Sequence, residues 1–539
     1  MDRYFDTATL NEVFQRMTER FGDKVAVWFD DDKVTYTQLR RDAYNIAIRL
    51  GDLGIGYGDR VAILLPNCYE FITLYFGVTL AGATAVPINN RVVEKELAGI
   101  LRDAAPVALF LNAKIHNSDY GEIVHRLAPG LPDLRYCVMD DPGEQAGFRQ
   151  DREFFRHLPD LDERIAGYKD PEVGEGDVAL LAYTSGTTSH PKGVMITHGG
   201  LVKTSYEGGR AWRLQYDTLP EDFVAFSIAP LYGAQGFCAV LLYLTNGVPM
   251  RWLSTFNPNN AIKAISRGQV SLLHTQPTMW SLLLSSSLLD FCDFSSIKLT
   301  LVSGSLCSYN LARRIEEKTG SLLLNGYGLI EATGIALVTR PDDPPEIRLN
   351  TVGRPIAGVD VKIVDKDRAE VPPGEVGEVA LRGYLMKGYW NQPEKTRAVM
   401  DDDGFLYTGD LGRFYEGTPN IQLVGRAKEM IIRGGFNVFP IDVEEEILGF
   451  GKVQDVAVVG RPHEVLGEAI VAFVVPRPGS LLTVREVLVH CRSTLSSNKI
   501  PDEVHFVREL PIIENGKVRK NELQQWATSG IPAEKVFRF

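Results

Sequence analysis

Cysteine is scarce in this chain. Its 539 residues hold six, Cys68, Cys137, Cys238, Cys292, Cys307 and Cys491, none close to another in sequence. That scatter excludes a disulfide scaffold, argues against a zinc site, and suits a reduced, cytoplasmic protein. The nine histidines are equally dispersed. Long apolar runs are missing as well. Stretches such as 237–244 are the longest, far short of the roughly 20 residues of a membrane span. The N-terminus has no basic segment leading into an apolar one, so no secretory signal is expected. Excess positive charge is also lacking. A net charge of −12 speaks against nucleic-acid binding and requires any anionic ligand to meet a local basic patch. No internal repeat or low-complexity tract is visible.

What is present is length and apolar content. With 45% hydrophobic residues, the chain has material for a large core and about three to four domain-sized units. The N-terminal part alternates strand-like and helix-like segments: a buried strand at 60–66, an apolar helix at 69–81, a strand at 85–88, then further strands at 223–228, 270–273 and 299–302. That alternation predicts layered α/β subdomains with at least one largely parallel sheet. After about residue 340 the pattern changes. Residues 361–382 read as antiparallel hairpins joined by Pro-Gly turns, which predicts a β-rich subdomain over about 341–425. Beyond residue 425 the pattern reads as α+β: helix 441–448, strands 453–459 and 469–475, helix 484–495, strand 504–506. The expected division is a large N-terminal domain, 1–425, and a small mobile C-terminal domain, 426–539.

One stretch carries more chemistry than any other. Residues 181–198 read Leu-Ala-Tyr-Thr-Ser-Gly-Thr-Thr-Ser-His-Pro-Lys-Gly-Val-Met-Ile-Thr-His. Hydroxyls (Thr184, Ser185, Thr187, Thr188), glycines (Gly186, Gly193) and Lys192 crowd between two apolar runs. A strand ending in such a turn aims backbone N–H and O–H groups at one point, which suits phosphate oxygens, and the lysine adds a positive charge. The spacing is not that of a Walker loop, because Gly193 follows Lys192. A polar surface turn is the alternative.

Together with this loop, six further stretches in order resemble the adenylate-forming superfamily of acyl-CoA synthetases, adenylation domains and luciferases. The resemblance covers nearly the whole chain, from residues 35–39 and Gly58-Asp59-Arg60-Val61 to Asn515-Gly516-Lys517. It is nearest to the acyl-CoA synthetase branch, and the loop itself is similar to that of carnitine-type CoA ligases. The resemblance implies that Thr184, Ser185, Gly186, Thr187, Thr188 and Lys192 hold the ATP phosphates. Asn325, Gly326, Tyr327 and Gly328 would flank the adenine. Glu331 is implied as a catalytic residue and, with Thr187, as a Mg²⁺ ligand. Asp410 would take the ribose hydroxyls and Arg426 would reach the nucleotide. Lys428 and Glu429 would form the hinge, Gly434 and Gly435 would line the coenzyme A channel, and Lys517 would be the catalytic lysine. Taken singly, these residues also read as a core tyrosine, a turn aspartate, a charged linker and an ordinary surface lysine.

The expected activity is ATP-dependent ligation of an apolar carboxylic acid, medium-chain, alicyclic or aromatic, to coenzyme A, with ATP, Mg²⁺ and coenzyme A required. The expected partners are small molecules; a homodimer is compatible with the sequence, and no nucleic acid or membrane span is expected. Loading of a carrier-protein phosphopantetheine, or ligand binding without turnover, are the alternatives. Departures from the family pattern bear on them. Ile330 stands where the family usually has threonine, with Thr333 nearby as a substitute. Gly233 stands where a histidine or aromatic is frequent, and Gly304-Ser305-Leu306-Cys307 replaces a Gly-Gly-Ala-Pro stretch. Tyr232, Gly233, Gln235, Gly304 and Ser305, with Trp280 beside them, are therefore the expected acyl-pocket wall, wider than usual at Gly233.

Overall fold

The computed structural model describes residues 8–139, 148–184, 192–267, 270–512 and 517–537, without the side chains of residues 148–152 and 184. Two large sheets organise the N-terminal domain. One has eight strands, with Arg60–Leu64 near its centre, parallel to Thr84–Pro87 and to Ala108–Leu111. Val61, Ala62, Ile63 and Leu64 are all fully buried. This is what a strand covered on both faces demands, and it is why the sequence shows an unbroken apolar run there rather than alternation. The helix Tyr69–Leu80 is apolar on all sides and buries ten of its residues, as a helix lying inside a large core must.

The second sheet has nine strands. Its centre is parallel: Ala225–Ser227, Leu272–Thr275, Leu299–Val302 and the start of Leu322–Leu329 run side by side in one direction. Helices cover these strands, and the main apolar core extends across both sheets, with Phe14 stacked on Phe76 at 4.4 Å. A four-stranded antiparallel sheet follows, from Asp360–Val364, Gly377–Arg382, Leu406–Phe414 and Ile421–Arg426.

The small C-terminal domain is built on the long hairpin Val453–His463 and Gly467–Pro476. Alternate residues face opposite ways. Val456 and Val458 join a core with Val487 and Cys491, while Ala457 and Val459 join another with Leu523 and Trp526. Its helix Val484–Thr494 starts at a capping box in which Thr483 and Glu486 satisfy each other's backbone N–H, as the Thr-x-x-Glu spacing requires. The expected α/β class, with a large N-terminal and a small C-terminal domain, is thus what the chain adopts. All six cysteines are free. Among the described residues, no helix is long and apolar enough to cross a membrane.

Candidate active site

Open α/β sheets place ligands beyond the carboxyl ends of their parallel strands. Here the strand Leu322–Leu329 pairs in parallel with Leu299–Val302 as far as Asn325, then turns antiparallel to Gly334–Val338. The change of partner carries Tyr327 out of the sheet centre while keeping it buried. Its hydroxyl donates to Asp410 Oδ2 at 2.7 Å. Asp410 lies directly opposite Arg426 in the antiparallel pairing of Leu406–Phe414 with Ile421–Arg426, and Arg426 Nε stands 3.0 Å from Asp410 Oδ1. Burial and the neighbouring Asp410 charge push the Tyr327 hydroxyl well above its ordinary pKa, so it stays a donor. Each carboxylate oxygen of Asp410 has lone-pair capacity left for a further donor.

Glu331 follows on the short turn Ile330–Ala332. Its Oε1 accepts from the Tyr389 hydroxyl at 2.9 Å, and its backbone carbonyl accepts from Met386 N at 2.8 Å. Tyr389 in turn lies under Lys192, whose Nζ is 4.8 Å from the ring centroid. Residues 386–390 are held to the other side by Lys387 N to Met195 O and Trp390 N to Gly193 O. This short segment therefore joins the phosphate-loop strand Lys192–Thr197 to Glu331. Sequence reading missed Tyr389. Its only signal was a polar-tipped aromatic in a short Gly-Tyr-Trp run, which does not reveal a partner 58 residues away.

Lys517 arrives from the C-terminal domain. Its side chain remains open to solvent, yet surrounding protein and the positive charge of Arg426 lower its pKa, while Asp410, Glu331 and Glu429 act in the opposite sense. Lys517 is thus within electrostatic range of Asp410, Arg426, Glu331 and Glu429. Lys520 ties the hinge turn to the helix Pro440–Gly449 inside the small domain, and Glu445 makes the contact with the large one. Lys520 Nζ lies 2.9 Å from Glu444 Oε1 and 3.6 Å from Glu429 Oε2. On the far side, Glu445 Oε1 accepts from Tyr309 N at 3.1 Å, and Asn310 Nδ2 donates to Glu445 O. Lys428 and Glu429 form the short turn Ala427–Glu429 directly after Arg426. Gly434 and Gly435 form the tip of the hairpin between Ile431–Arg433 and Phe436–Val438, exposed, with little or nothing packed on them.

Other expectations are met differently. Ser185, Gly186, Thr187 and Thr188 lie outside the described residues, and so does the side chain of Thr184. Gly326 and Gly328 are required by packing within the protein. A Cβ at Gly326 would lie 2.8 Å from Trp212 Cζ2, and one at Gly328 only 1.6 Å from Gly334 O. The Asn325 amide donates to Arg348 O at 2.7 Å and ties the strand to the helix Pro345–Asn350. Thr333, the nearby threonine, keeps its hydroxyl without a partner among the described residues. It is buried, and its side chain packs where a Cβ on Gly200 would be, facing the helix His198–Ala211. Trp280 is a fully buried member of the core around Phe226 and Leu273.

The other acyl-wall residues cluster as expected from the sequence. Tyr232 and Gly233 precede the helix Ala234–Asn246, on which Gln235 lies. Gln235 Nε2 donates to Ser303 Oγ at 3.1 Å, and a Cβ on Gly304 would come within 3.2 Å of Gln235 Oε1. Ser305 follows Gly304, partly exposed.

Comparison with known proteins agrees with this geometry. The profile of AMP-binding enzymes matches residues 14–390, and that of the AMP-binding enzyme C-terminal domain matches residues 442–517. A long-chain-fatty-acid–CoA ligase of Bacillus subtilis (strain 168) is 31% identical, covering 96% of this chain and 95% of the relative. A feruloyl-CoA synthase of an Amycolatopsis species is 33% identical, covering 91% and 94%. The crystal structure of an anthranilate CoA ligase in complex with anthranoyl-AMP superimposes with a TM-score of 0.88 at 25% identity, covering 97% and 98%.

Proposed function

The chain belongs to the AMP-binding enzyme family and is an AMP-forming acid–thiol ligase, and on that footing we propose that it activates an apolar carboxylic acid, medium-chain, alicyclic or aromatic, as the acyl adenylate and passes the acyl group to coenzyme A. The observation that supports this reading best is the Tyr327–Asp410–Arg426 cluster, with Lys517 in electrostatic range of Asp410, Arg426 and Glu331. In the first half-reaction a carboxylate attacks the α-phosphate of ATP, so two anions must approach. Catalysis then consists of holding them in line and neutralising charge. Asp410 accepts from the ribose hydroxyls while Tyr327 and Arg426 fix its carboxylate. Lys192, with Thr184, Ser185, Gly186, Thr187 and Thr188, holds the outer phosphates. Lys517 bridges the incoming carboxylate and the α-phosphate, and pyrophosphate leaves.

A Mg²⁺ ion fits this arrangement. Among the described residues no three of His, Cys, Asp and Glu gather into a protein cage, and Glu331 offers one oxygen-rich side chain held by Tyr389. That is the donor set of an ion shared with nucleotide phosphates. Glu331 and Thr187 would hold it, and it would offset phosphate charge.

For the second half-reaction we place the domain boundary at residues 425–426. The change of sheet between Ile421–Arg426 and Ile431–Arg433 supports it. Rotation about Lys428–Glu429 withdraws Lys517 and brings the Gly434–Gly435 turn to the site, where the absence of side chains admits the thin pantetheine arm. The thiol attacks the acyl carbon and AMP leaves. The reduced cytoplasm is the compartment that suits six free cysteines. Pyrophosphate release over a carboxylic-acid library, with and without coenzyme A, tests the reading. Acyl-CoA formed in step with AMP is the expected result. Transfer only to carrier proteins, or no release with any acid, would refute it.

A further inference from the structure

A buried carboxamide, Gln276, and a half-buried one, Gln235, meet at the expected acyl wall, and the protein leaves both incompletely paired. Gln276 follows the strand Leu272–Thr275 and is the N-cap of the helix Pro277–Leu284, yet its side chain makes no capping bond. It is 3% exposed, and its Oε1 has no hydrogen-bond partner among the described residues. Gln235 spends its Nε2 on Ser303 Oγ, and its Oε1 is likewise enclosed without a partner. Both side chains flank Gly304. A Cβ on Gly304 would lie 3.2 Å from Gln235 Oε1, 3.3 Å from Gln276 Cγ and 3.4 Å from Gln276 Nε2. Gly304 has φ +88°, so the position both excludes a side chain sterically and disfavours one conformationally.

The orientation of Gln235 is fixed from behind. Ser303 Oγ is 2.9 Å from His274 Nε2, and His274 Nδ1 is 3.0 Å from the Tyr243 hydroxyl. Tyr243 stands on the same helix as Gln235, so the relay closes on itself through buried groups. With Nε2 engaged, Gln235 presents an acceptor. Gln276 brings its Nε2 to the Gly304 side, and its Oε1 is left without a partner. Buried acceptors are ordinarily satisfied, because leaving them unmade is costly. A ligand group that donates is what completes this set. A second carboxylate would meet the Gln235 oxygen, of like partial charge.

We infer that the acid carries a hydroxyl or primary amine on its acyl portion, and that Gln235 and Gln276 read it beside Gly304. This rests on the ligase reading above and narrows its substrate class from apolar acids to apolar acids with one donor group. Sites built to hydrogen-bond a substrate hydroxyl reject the analogue lacking it by as much as about 10⁴–10⁵-fold, whereas purely apolar pockets barely discriminate.

The test uses the whole enzyme and pairs of aromatic and alicyclic acids that differ only by hydroxyl or amine against hydrogen. Pyrophosphate release gives kcat/KM for each. At least one pair is expected to favour the donor-bearing acid by about 100-fold or more, with the corresponding dicarboxylic acid worse than either. Gln276→Leu and Gln235→Leu are expected to collapse that ratio towards 1, and the ratio is internal to each variant, so loss of folded protein does not alter it. Should a variant give no measurable turnover, calorimetric binding of the same acid pairs to the wild-type enzyme decides. Equal kcat/KM or equal binding within every pair, or an unchanged ratio in both variants, overturns the inference while leaving the ligase intact. No pyrophosphate from any acid overturns both.

Discussion

Replacing Lys517 by alanine should divide the two half-reactions. The charges of Asp410, Glu331 and Glu429 favour the ammonium and that of Arg426 opposes it, and its proposed task is to meet negative charge growing between carboxylate and α-phosphate. Removing one such preorganised donor costs about 2.7–4 kcal/mol, or about 10²–10³ in kcat. The side chain is open to solvent, which screens its charge, so the lower end, about 100-fold, is the expectation. Adenylation is followed by pyrophosphate release at saturating acid and ATP. Transfer is followed by acyl-CoA formation from chemically prepared acyl adenylate, and there the variant should stay within about threefold of wild type. The protonation state adds a second reading. Lys517 is needed charged, and its pKa is lowered from 10.5. The alkaline limb of kcat/KM for adenylation should therefore begin below the ordinary lysine range and vanish in the alanine variant. Equal losses in both half-reactions, or an alkaline limb untouched by the substitution, would refute the assignment.

Tyr389→Phe removes one hydrogen bond to the Glu331 carboxylate. A bond of that kind is worth about 1.5–3 kcal/mol, so adenylation should fall about tenfold or more at fixed Mg²⁺-ATP, with coenzyme A transfer spared. Unaltered adenylation kinetics would detach Tyr389 from the site. Gly326→Ala forces a methyl against Trp212 and should destabilise the protein by about 1–3 kcal/mol, seen as a lower thermal midpoint; an unshifted midpoint would show that Trp212 yields freely. Gly233→His fills the wall beside Tyr232 and should shift preference towards smaller acids, so an identical acid profile would remove Gly233 from the pocket. Burial holds His198 and His274 at a pKa of about 4 against 6.5. The unfolded chain takes up these protons first, so their contribution is complete above pH 6.5 and lost as pH falls towards 4. The thermal midpoint should drop across that window, less steeply in His198→Asn, and a parallel profile in the variant would contradict the argument.

Much of this was legible in the sequence because its signals are local. Unbroken apolar runs such as 61–64 read directly as covered parallel strands. Tyr327, Glu331, Asp410, Arg426 and Lys517 were all singled out, and the structure gathers them. What escaped was set by packing between distant segments. Gly326 and Gly328 read as room for a nucleotide, but Trp212 and the Gly334 carbonyl take that space. Thr333 is close to Ile330 in sequence, yet its positive φ of 57° turns it towards the helix His198–Ala211. Gln276 carried no local signal, since only the fold brings it to Gly304 and Gln235.

The short run 386–390 is tied on both flanks by main-chain amides, from Met386, Lys387 and Trp390. Its course is therefore written in peptide groups as well as in side chains. Random mutagenesis should find Lys387 permissive to most replacements yet intolerant of proline, which alone deletes a rivet of this kind. The seam beside Glu331 can drift in composition over generations while keeping its shape.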